Sequence, residues 1–513
     1  MHDTERRSPK IFESKIFYIS LCLLIALSIG VNLLTVTDQS IRLDEAQSLW
    51  AATKSVSGIL YYISQDVQVP LYELLLHFWI QIFGTDIAIA RGLSFIFFIL
   101  TLPVLYKAYR QVAGSKVSLL GVTIFSLSPF ILWYSNEARM YTMFALATSL
   151  DHLFFLKFYK SKGKDGKLGY FLSTLFGLFS HYFFIFFLFT QFVFVIYSTL
   201  SNSKVGGFKA KLQSKQRFLI RYIAVLVADG IFFLPWAVYF ILQGFASSTQ
   251  PLIPTPTSYD IFATFINFLF GFQSTKVQTL MVSLWPLIVL LLFFIFTRRK
   301  SAHILYKEYF IFTAFFPIFL MFLLSFFKPI FLSRYLIFVT PSLFFLVSWM
   351  LLSFAKKTSY IIVSIFLLLL LSLLFYQNLS PFTPVKENYI GVSEFLDKKA
   401  TASDLIAVSA PFTIYPVAYT YKGEAGIVTI PQWNLYTQGP IPKFSVANLK
   451  KEMQIYQKEY NNIFIVLSYN QGYQQDIQQY MDTNYKRLID RTFSPGLEVE
   501  EYQLRYDIQR HNP

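Results

Sequence analysis

The sequence predicts a polytopic α-helical membrane protein, of about eleven transmembrane helices, with an extracytoplasmic α/β domain at its C-terminus. Three observations point there. Of 513 residues, 55% are hydrophobic, only 14% are charged, and 58 are Phe. A water-soluble fold of this length has no means of hiding so much apolar surface, so lipid is the solvent for most of the chain. The apolar residues gather into runs close to the ~20 residues a helix needs to cross the hydrocarbon core. Lys and Arg gather in the short loops between those runs, the placement that puts basic loops on the cytoplasmic side. The net charge of +15 is therefore a positive-inside signature and gives no reason to infer nucleic-acid binding. The single cysteine, Cys22, lies in the first apolar run and excludes an internal disulfide.

The first run, 16–36, follows a short basic N-terminus and has no small-residue cleavage site, so it is expected to stay as an anchor. Further spans are expected at 88–106, 117–134, 138–156, 217–241, 280–297, 308–327, 336–355 and 359–376. The run 169–199 lies between two basic loops, 157–167 and 204–221. Both are cytoplasmic only if the chain crosses twice between them, so 169–199 is expected to be a hairpin of two short helices with its tip at Ser180–Tyr182. The other basic loops, 1–15, 107–116, 298–307 and 356–357, agree with this count. The N-terminus is then cytoplasmic and the C-terminus outside. The Pro-rich segment 248–260 is expected as an outer loop, followed by an apolar stretch too short to span.

The chain is expected to divide into a membrane domain, 1–380, and a soluble outer domain, 381–513. In the latter, SEFLDKKA, FSVANLKKEMQIYQKEY and YQQDIQQYMDTNYKRL read as helices, and DLIAVSA, IVTIP and NIFIVLS as strands.

This topology collects charge on one membrane face. The first outer loop, 38–86, carries Arg42, Asp44, Glu45, Asp66, Glu73 and His77. Arg91 begins the next helix from the outer side, YSNEARMY places Glu137 and Arg139 in an outer turn, His181 tips the hairpin, and SRYL brings Arg334 and Tyr335. Each residue alone has an ordinary explanation: an arginine snorkelling to lipid phosphates, an ion pair at a turn, a packed histidine, or a carboxylate favoured by a helix N-terminus. Arginines outside run against the positive-inside bias, and adjacent carboxylates facing several cations suit acid–base or metal chemistry on a phosphorylated substrate.

In order along the chain, RLDEAQSLW, VPLYELLLHFWIQIFG, IAIARGLSF, SPFILWYSNEARMY, HYF and SRYL resemble the GT-C glycosyltransferases over residues 15–376. Within that class the chain resembles the bacterial relatives of protein O-mannosyltransferases and lipid A aminoarabinose transferase. One motif departs. Where members commonly read Asp-x-His-Pro-Pro-Leu-Tyr, this chain reads DVQVPLY, with Gln68 and Val69 replacing His and Pro.

The resemblance implies sugar transfer from a polyprenyl-phosphate donor to an extracytoplasmic hydroxyl, with inversion, at the plasma (inner) membrane. It implies Asp44 and Glu45 as the catalytic carboxylates and Arg91, Arg139, His181 and Arg334 as groups on the donor phosphate. Arg42, Tyr72, Glu137, Tyr141, Tyr182 and Tyr335 are implied as substrate-binding. A divalent cation (Mg, Mn or Ca) on Asp44 and Glu45 is an expectation of the same kind. The expected partners are the lipid-linked donor, membrane lipid and an acceptor that is a protein, lipid or glycan, with no nucleic acid. The alternative reading is a transporter or flippase of a lipid-linked saccharide. That reading calls for charges near the bilayer midplane and internal symmetry.

Overall fold

The computed structural model describes residues 9–65, 68–201, 208–242, 253–273, 275–284, 304–354, 356–379, 387–434 and 441–504. Asp66, the N-terminus before residue 9, residues 285–300 of the expected span 280–297 and following basic loop, and part of the Pro-rich segment lie outside them.

Among the described residues, six helices are long and apolar enough to cross a membrane: Lys15–Leu34, Ile87–Arg110, Gln216–Leu242, Tyr306–Leu324, Ser333–Leu351 and Lys356–Asn378. The expected span 117–134 is not one straight helix. It breaks into Ser115–Leu127 and Pro129–Ser135, bent by 59°. Pro129 has no N–H to continue the ladder, and Ser128 turns extended before it, its hydroxyl donating to the Phe268 carbonyl at 2.7 Å. With the bent pair counted as one, the described residues hold up to seven such spans, beside shorter apolar helices such as Phe184–Leu200.

In the first half of the chain the membrane helices are α1 (Pro9–Leu34), α5 (Ile87–Arg110), α6 (Ser115–Leu127), α7 (Pro129–Ser135), α8 (Tyr141–Lys160), α9 (Lys167–Ser180), α10 (Phe184–Ser201) and α11 (Phe208–Leu242). Between α1 and α5, the segment expected as the first outer loop is itself helical: α2 (Leu43–Ala52), α3 (Val56–Ser64) and α4 (Leu71–Phe83). The run 169–199 is indeed two helices, α9 and α10, broken at His181–Phe183. Gly177 permits the arms to close, since a Cβ there would strike the Phe184 ring.

α8 runs through the middle of the bundle and is buried along most of its length. Its polar residues are paired inside protein, as a low-dielectric surrounding requires. Asp151 accepts from Thr174 at 3.0 Å and from Gln191 at 2.5 Å. His152 meets the Tyr309 hydroxyl at 2.8 Å and Ser342 at 3.0 Å.

The apolar stretch after the Pro-rich segment forms the short helix Ser258–Phe270, which packs Phe268 against Phe130 at 5.0 Å between ring centres.

The C-terminal domain is a five-stranded sheet in the order β2-β1-β3-β5-β4. Its strands are β1 (Leu405–Ser409), β2 (Gly426–Thr429), β3 (Asn462–Ser468), β4 (Lys486–Ser494) and β5 (Leu497–Gln503). β1 pairs parallel with β2 and β3, and β5 pairs antiparallel with β3 and β4. The antiparallel β4–β5 hairpin is an addition to the predicted elements, because KRL reads on from a helix. β1 is buried on both faces. Leu405 and Ala407 pack on the helices Val446–Glu459 and Gln474–Asn484. Ile406 and Val408 share a core with Ile41, Leu43 and Leu49 of the segment between α1 and α5. Trp50 of α2 packs edge-on against Tyr415 at 5.1 Å, the Tyr419 hydroxyl donates to the Thr85 carbonyl at 2.9 Å, and the Ile390 amide donates to Ser40 at 3.0 Å. The sheet domain therefore sits directly on α2–α4, over the charges of that segment.

Candidate active site

The frame of the site is the pair Glu45–Arg91, both fully buried. Glu45 lies in the first turn of α2, where a carboxylate suits the helix dipole. Its Oε1 accepts from Arg91 Nε at 2.8 Å and from the Ala138 amide at 2.9 Å. Its Oε2 accepts from Arg91 Nη2 at 2.9 Å and from the Arg42 amide at 3.0 Å. Arg91 donates its remaining hydrogens to the carbonyls of Val36 (2.7 Å), Gln39 (2.9 Å) and Ser40 (3.0 Å). A guanidinium has five N–H donors, and here all five are used within the protein. None is left for the phosphate contact expected of Arg91. The pair instead ties α5, the end of α1, the start of α2 and the 136–140 turn into one unit.

Asp44, the neighbour of Glu45, points elsewhere. Its Oδ2 accepts from Arg334 Nη1 at 3.1 Å, and both side chains keep partial exposure, 22% and 24%. Burial works against its charge, but Arg334, then Arg139 and Arg42, hold the carboxyl below the usual aspartate value. Arg334 heads a 3-10 turn, Ser333–Val339, entered from an extended Leu332. Thr264 and Asn267 of the short helix Ser258–Phe270 fix that turn by contacts of 3.2 Å to the Ser333 hydroxyl. Arg334 Nε is buried and has no hydrogen-bond partner among the described residues.

Arg139 is 5% exposed and donates to Ser48 at 2.8 Å and to the Asp44 carbonyl at 3.3 Å. His181 stacks on Phe144 at 4.8 Å, and its Nδ1 accepts from the Phe183 amide at 3.1 Å. That bond assigns the ring proton to Nε2. Burial, then Arg139 and Arg334, pull its pKa down to about 3. His181 is thus a neutral donor rather than the expected cation.

The residues expected to bind substrate separate. Tyr141, itself buried, packs on Tyr134 at 4.7 Å and lies in the field of Arg334 and Asp44. Tyr335 is half-buried beneath the Arg334 guanidinium, 5.3 Å from the ring centre. Tyr182 accepts from Trp236 at 3.0 Å. Arg42 and Glu137 pair at 3.4 Å. Tyr72 is fully buried and makes a 2.7 Å bond with Ser94, which donates to the Arg139 carbonyl at 3.0 Å. It therefore supports the Arg139 backbone and is sealed from any substrate. His77 is likewise structural, between the Ala52 carbonyl at 2.8 Å and Gln81 at 2.9 Å.

Four participants escaped the sequence reading. Ser48 joins Arg139 to Glu73, its hydroxyl 3.3 Å from Glu73 Oε1. Ser94 is described above. Glu387 and Tyr469 come from the C-terminal domain: Glu387 pairs with Arg42 Nε at 3.4 Å, and the Tyr469 hydroxyl donates to Glu387 at 2.5 Å. The only sequence signal for Glu387 is its place just before the first helix of that domain.

A divalent cation shared by Asp44 and Glu45 does not fit these residues. Both Glu45 oxygens are saturated by N–H donors, and Asp44 is already paired with a guanidinium. Hard cations need several free oxygen ligands. No group of three His, Cys, Asp or Glu able to hold a metal exists among the described residues.

No family model matches the chain, and no curated protein does. Among solved structures, ArnT from Cupriavidus metallidurans in the apo state aligns over 94% of this chain and 97% of its own, at 10% identity and a TM-score of 0.56. The same protein bound to undecaprenyl phosphate aligns over the same shares, at 11% identity and a TM-score of 0.54. The Archaeoglobus fulgidus oligosaccharyltransferase, solved with zinc and sulfate, aligns over 87% of this chain and 67% of its own, at 11% identity and a TM-score of 0.47. The ArnT structures share the fold of this chain over nearly the full length of both. The chain therefore has the same overall fold as those ArnT structures, membrane helices and C-terminal sheet domain included.

Proposed function

We propose that this chain is a glycosyltransferase that moves a sugar from a polyprenyl-phosphate donor to an acceptor hydroxyl on a protein, lipid or glycan. The observation that carries this reading is the Asp44–Arg334 pair at 3.1 Å, part-exposed, with the Arg139 and His181 side chains about it. A shared fold with a protein solved on undecaprenyl phosphate supports the class of donor.

Asp44 is the general base. It takes the proton of the acceptor hydroxyl as that oxygen bonds to the anomeric carbon. The bond from that carbon to the phosphate oxygen breaks, and the polyprenyl phosphate leaves with one more negative charge. Attack from the face opposite the phosphate inverts the anomeric centre. Arg334, with its unbonded Nε–H, and Arg139 face the phosphate, and His181 offers its Nε2–H. Donors aimed at developing charge in a water-poor site lower the barrier most. Tyr141, Tyr182 and Tyr335 line the donor side. Arg91 and Glu45 hold the frame and touch no substrate.

The test is release of free polyprenyl phosphate by purified protein from a panel of polyprenyl-phosphate sugars, with cell-envelope extract as acceptor source. Release is expected from one donor class, and Arg334→Met lowers its kcat by about 100-fold, near 3 kcal/mol. With Arg334 gone, burial of Asp44 is less opposed. Its pKa rises, and the acid limb of the pH–rate profile moves to higher pH. Release from no donor, with lipid-linked saccharide still moved between leaflets, overturns the reading in favour of a flippase.

In this proposal, α2–α4 and the sheet domain face outward from the plasma membrane and the α8–α9 loop faces the cytoplasm. In a Cys22→Ser background, cysteines at the exposed Ser57 and Ser403 label with an impermeant maleimide added outside whole cells, and one at the exposed Lys164 labels only after lysis. The reverse pattern overturns the orientation.

A further inference from the structure

Arg42 stands between two carboxylates from different domains. Its Nη1 lies 3.4 Å from Glu137 Oε2, and its Nε lies 3.4 Å from Glu387 Oε2. Glu137 is fully buried, and its Oε1 has no hydrogen-bond partner among the described residues. Arg42 is therefore the cation that compensates a buried carboxylate, whose uncompensated burial is costly.

Glu387 is itself held from behind by the Tyr469 hydroxyl at 2.5 Å. Tyr469 follows β3 with a backbone φ of +51°, in the left-handed region that aromatic residues avoid. A non-glycine residue persists there only where the surroundings impose it. Here the imposed conformation aims the hydroxyl at Glu387. Asp44, two residues on in α2, lies in the field of Arg42, and the other charges acting on it are Arg334, Arg139 and Glu45.

We propose that Glu387 of the C-terminal domain, braced by Tyr469, is a positioning residue for transfer: it holds Arg42 on Glu137 and away from Asp44. The proposal rests on the glycosyl-transfer reading for its kinetic consequence, but its geometric consequence is independent of that reading. Without Glu387, the Arg42 guanidinium loses one of two anions and turns toward Asp44, the part-exposed carboxylate two residues on that already feels its charge. Asp44 then becomes a weaker base, and Glu137 loses its counter-charge. The sheet domain thereby acts as a wall of the active site as well as a cover.

The experiment compares full-length wild type, Glu387→Gln and Tyr469→Phe. Glu387→Gln is near-isosteric at a part-exposed position and removes only the charge, with a thermal melt to check that the variant folds; Tyr469→Phe removes only the brace. Two readouts are taken. The first is polyprenyl-phosphate release across pH. Glu387→Gln is expected to lower kcat about tenfold, leave the donor KM within about twofold, and move the acid limb to lower pH; Tyr469→Phe does the same to a smaller degree. A merely structural loss lowers the rate without moving the limb, and that outcome overturns the proposal. The second is hydrogen exchange of the 134–141 peptide, which is expected to rise several-fold in Glu387→Gln. If wild type releases polyprenyl phosphate from no donor, the transfer reading fails and exchange alone decides. Unchanged exchange at 134–141 then overturns the positioning role.

Discussion

Replacing Asp44 by Asn lowers polyprenyl-phosphate release by about 10²–10⁴-fold, the usual effect of removing a positioned general base. The amide introduced by Asp44→Asn keeps an oxygen that accepts from Arg334, and the site is part-exposed. About three-quarters of the pair is buried, so stability is expected to fall by about 1–3 kcal/mol, the range for a buried charged hydrogen bond. A thermal melt of the purified variant checks this beside the activity. Release above a tenth of the wild-type rate would remove Asp44 from the chemistry. The pH dependence has a definite sign. Burial opposes the charge on Asp44, but Arg334, Arg139 and Arg42 outweigh it and lower the folded-state pKa. The charged form then contributes stability at pH above the unfolded value of about 3.9, and that contribution is lost as pH falls through the lower folded value. As a base, Asp44 stays ionised down to the same low pH. The acid limb of kcat/KM in wild type is expected below the ordinary carboxylate range, and a limb near neutral pH would point to another base.

Arg91→Met is expected to destabilise the protein by roughly 3–5 kcal/mol, because it leaves Glu45 as a buried charge without its partner. It also frees the carbonyls of Val36, Gln39 and Ser40, which three of its N–H bonds now satisfy. A donor-binding role predicts the opposite pattern: stability kept and donor affinity lost. Melting temperature against donor KM in the single variant separates the two. The double variant Arg91→Met with Glu45→Leu removes both charges and is expected to melt above Arg91→Met alone. Should it melt lower, the hydrogen bonds Glu45 accepts from the Ala138 and Arg42 amides outweigh the cost of its unpaired charge.

The membrane character of the chain and the place of its α9–α10 hairpin were legible because they depend on local quantities: length of apolar runs and the sign of loop charge. The strands of the sheet core were legible for the same reason. Leu405–Ser409 and Asn462–Ser468 are short apolar runs between polar segments. The β4–β5 hairpin was not, because β4 is an exposed edge whose residues, Lys486, Arg487, Asp490 and Arg491 among them, carry no apolar period. The segment between α1 and α5 hid three helices, because their short apolar faces pack on protein: α2 on the sheet domain, α4 on α5, and α3 beside Trp236 of α11 and Phe179 of α9.

The candidate site divides in the same way. The sequence by itself determined that Asp44, Glu45, Arg91, Arg139, His181 and Arg334 share one membrane face, since topology alone decides that. Only the tertiary structure decided what each one does there. Asp44 and Glu45 are adjacent and chemically alike, but one helical step turns them about 100° apart. Glu45 therefore faces the buried Arg91, and Asp44 faces the open side and Arg334. Arg91 is spent on carbonyls at 36, 39 and 40 whose direction is set by how α1 ends, and His181 is neutral because the packed bundle excludes water from it. Glu387 reaches Arg42 only because a separate domain docks on α2. Hydrogen-bond saturation and desolvation depend on neighbours distant in sequence, so residue type and spacing along the chain do not encode them.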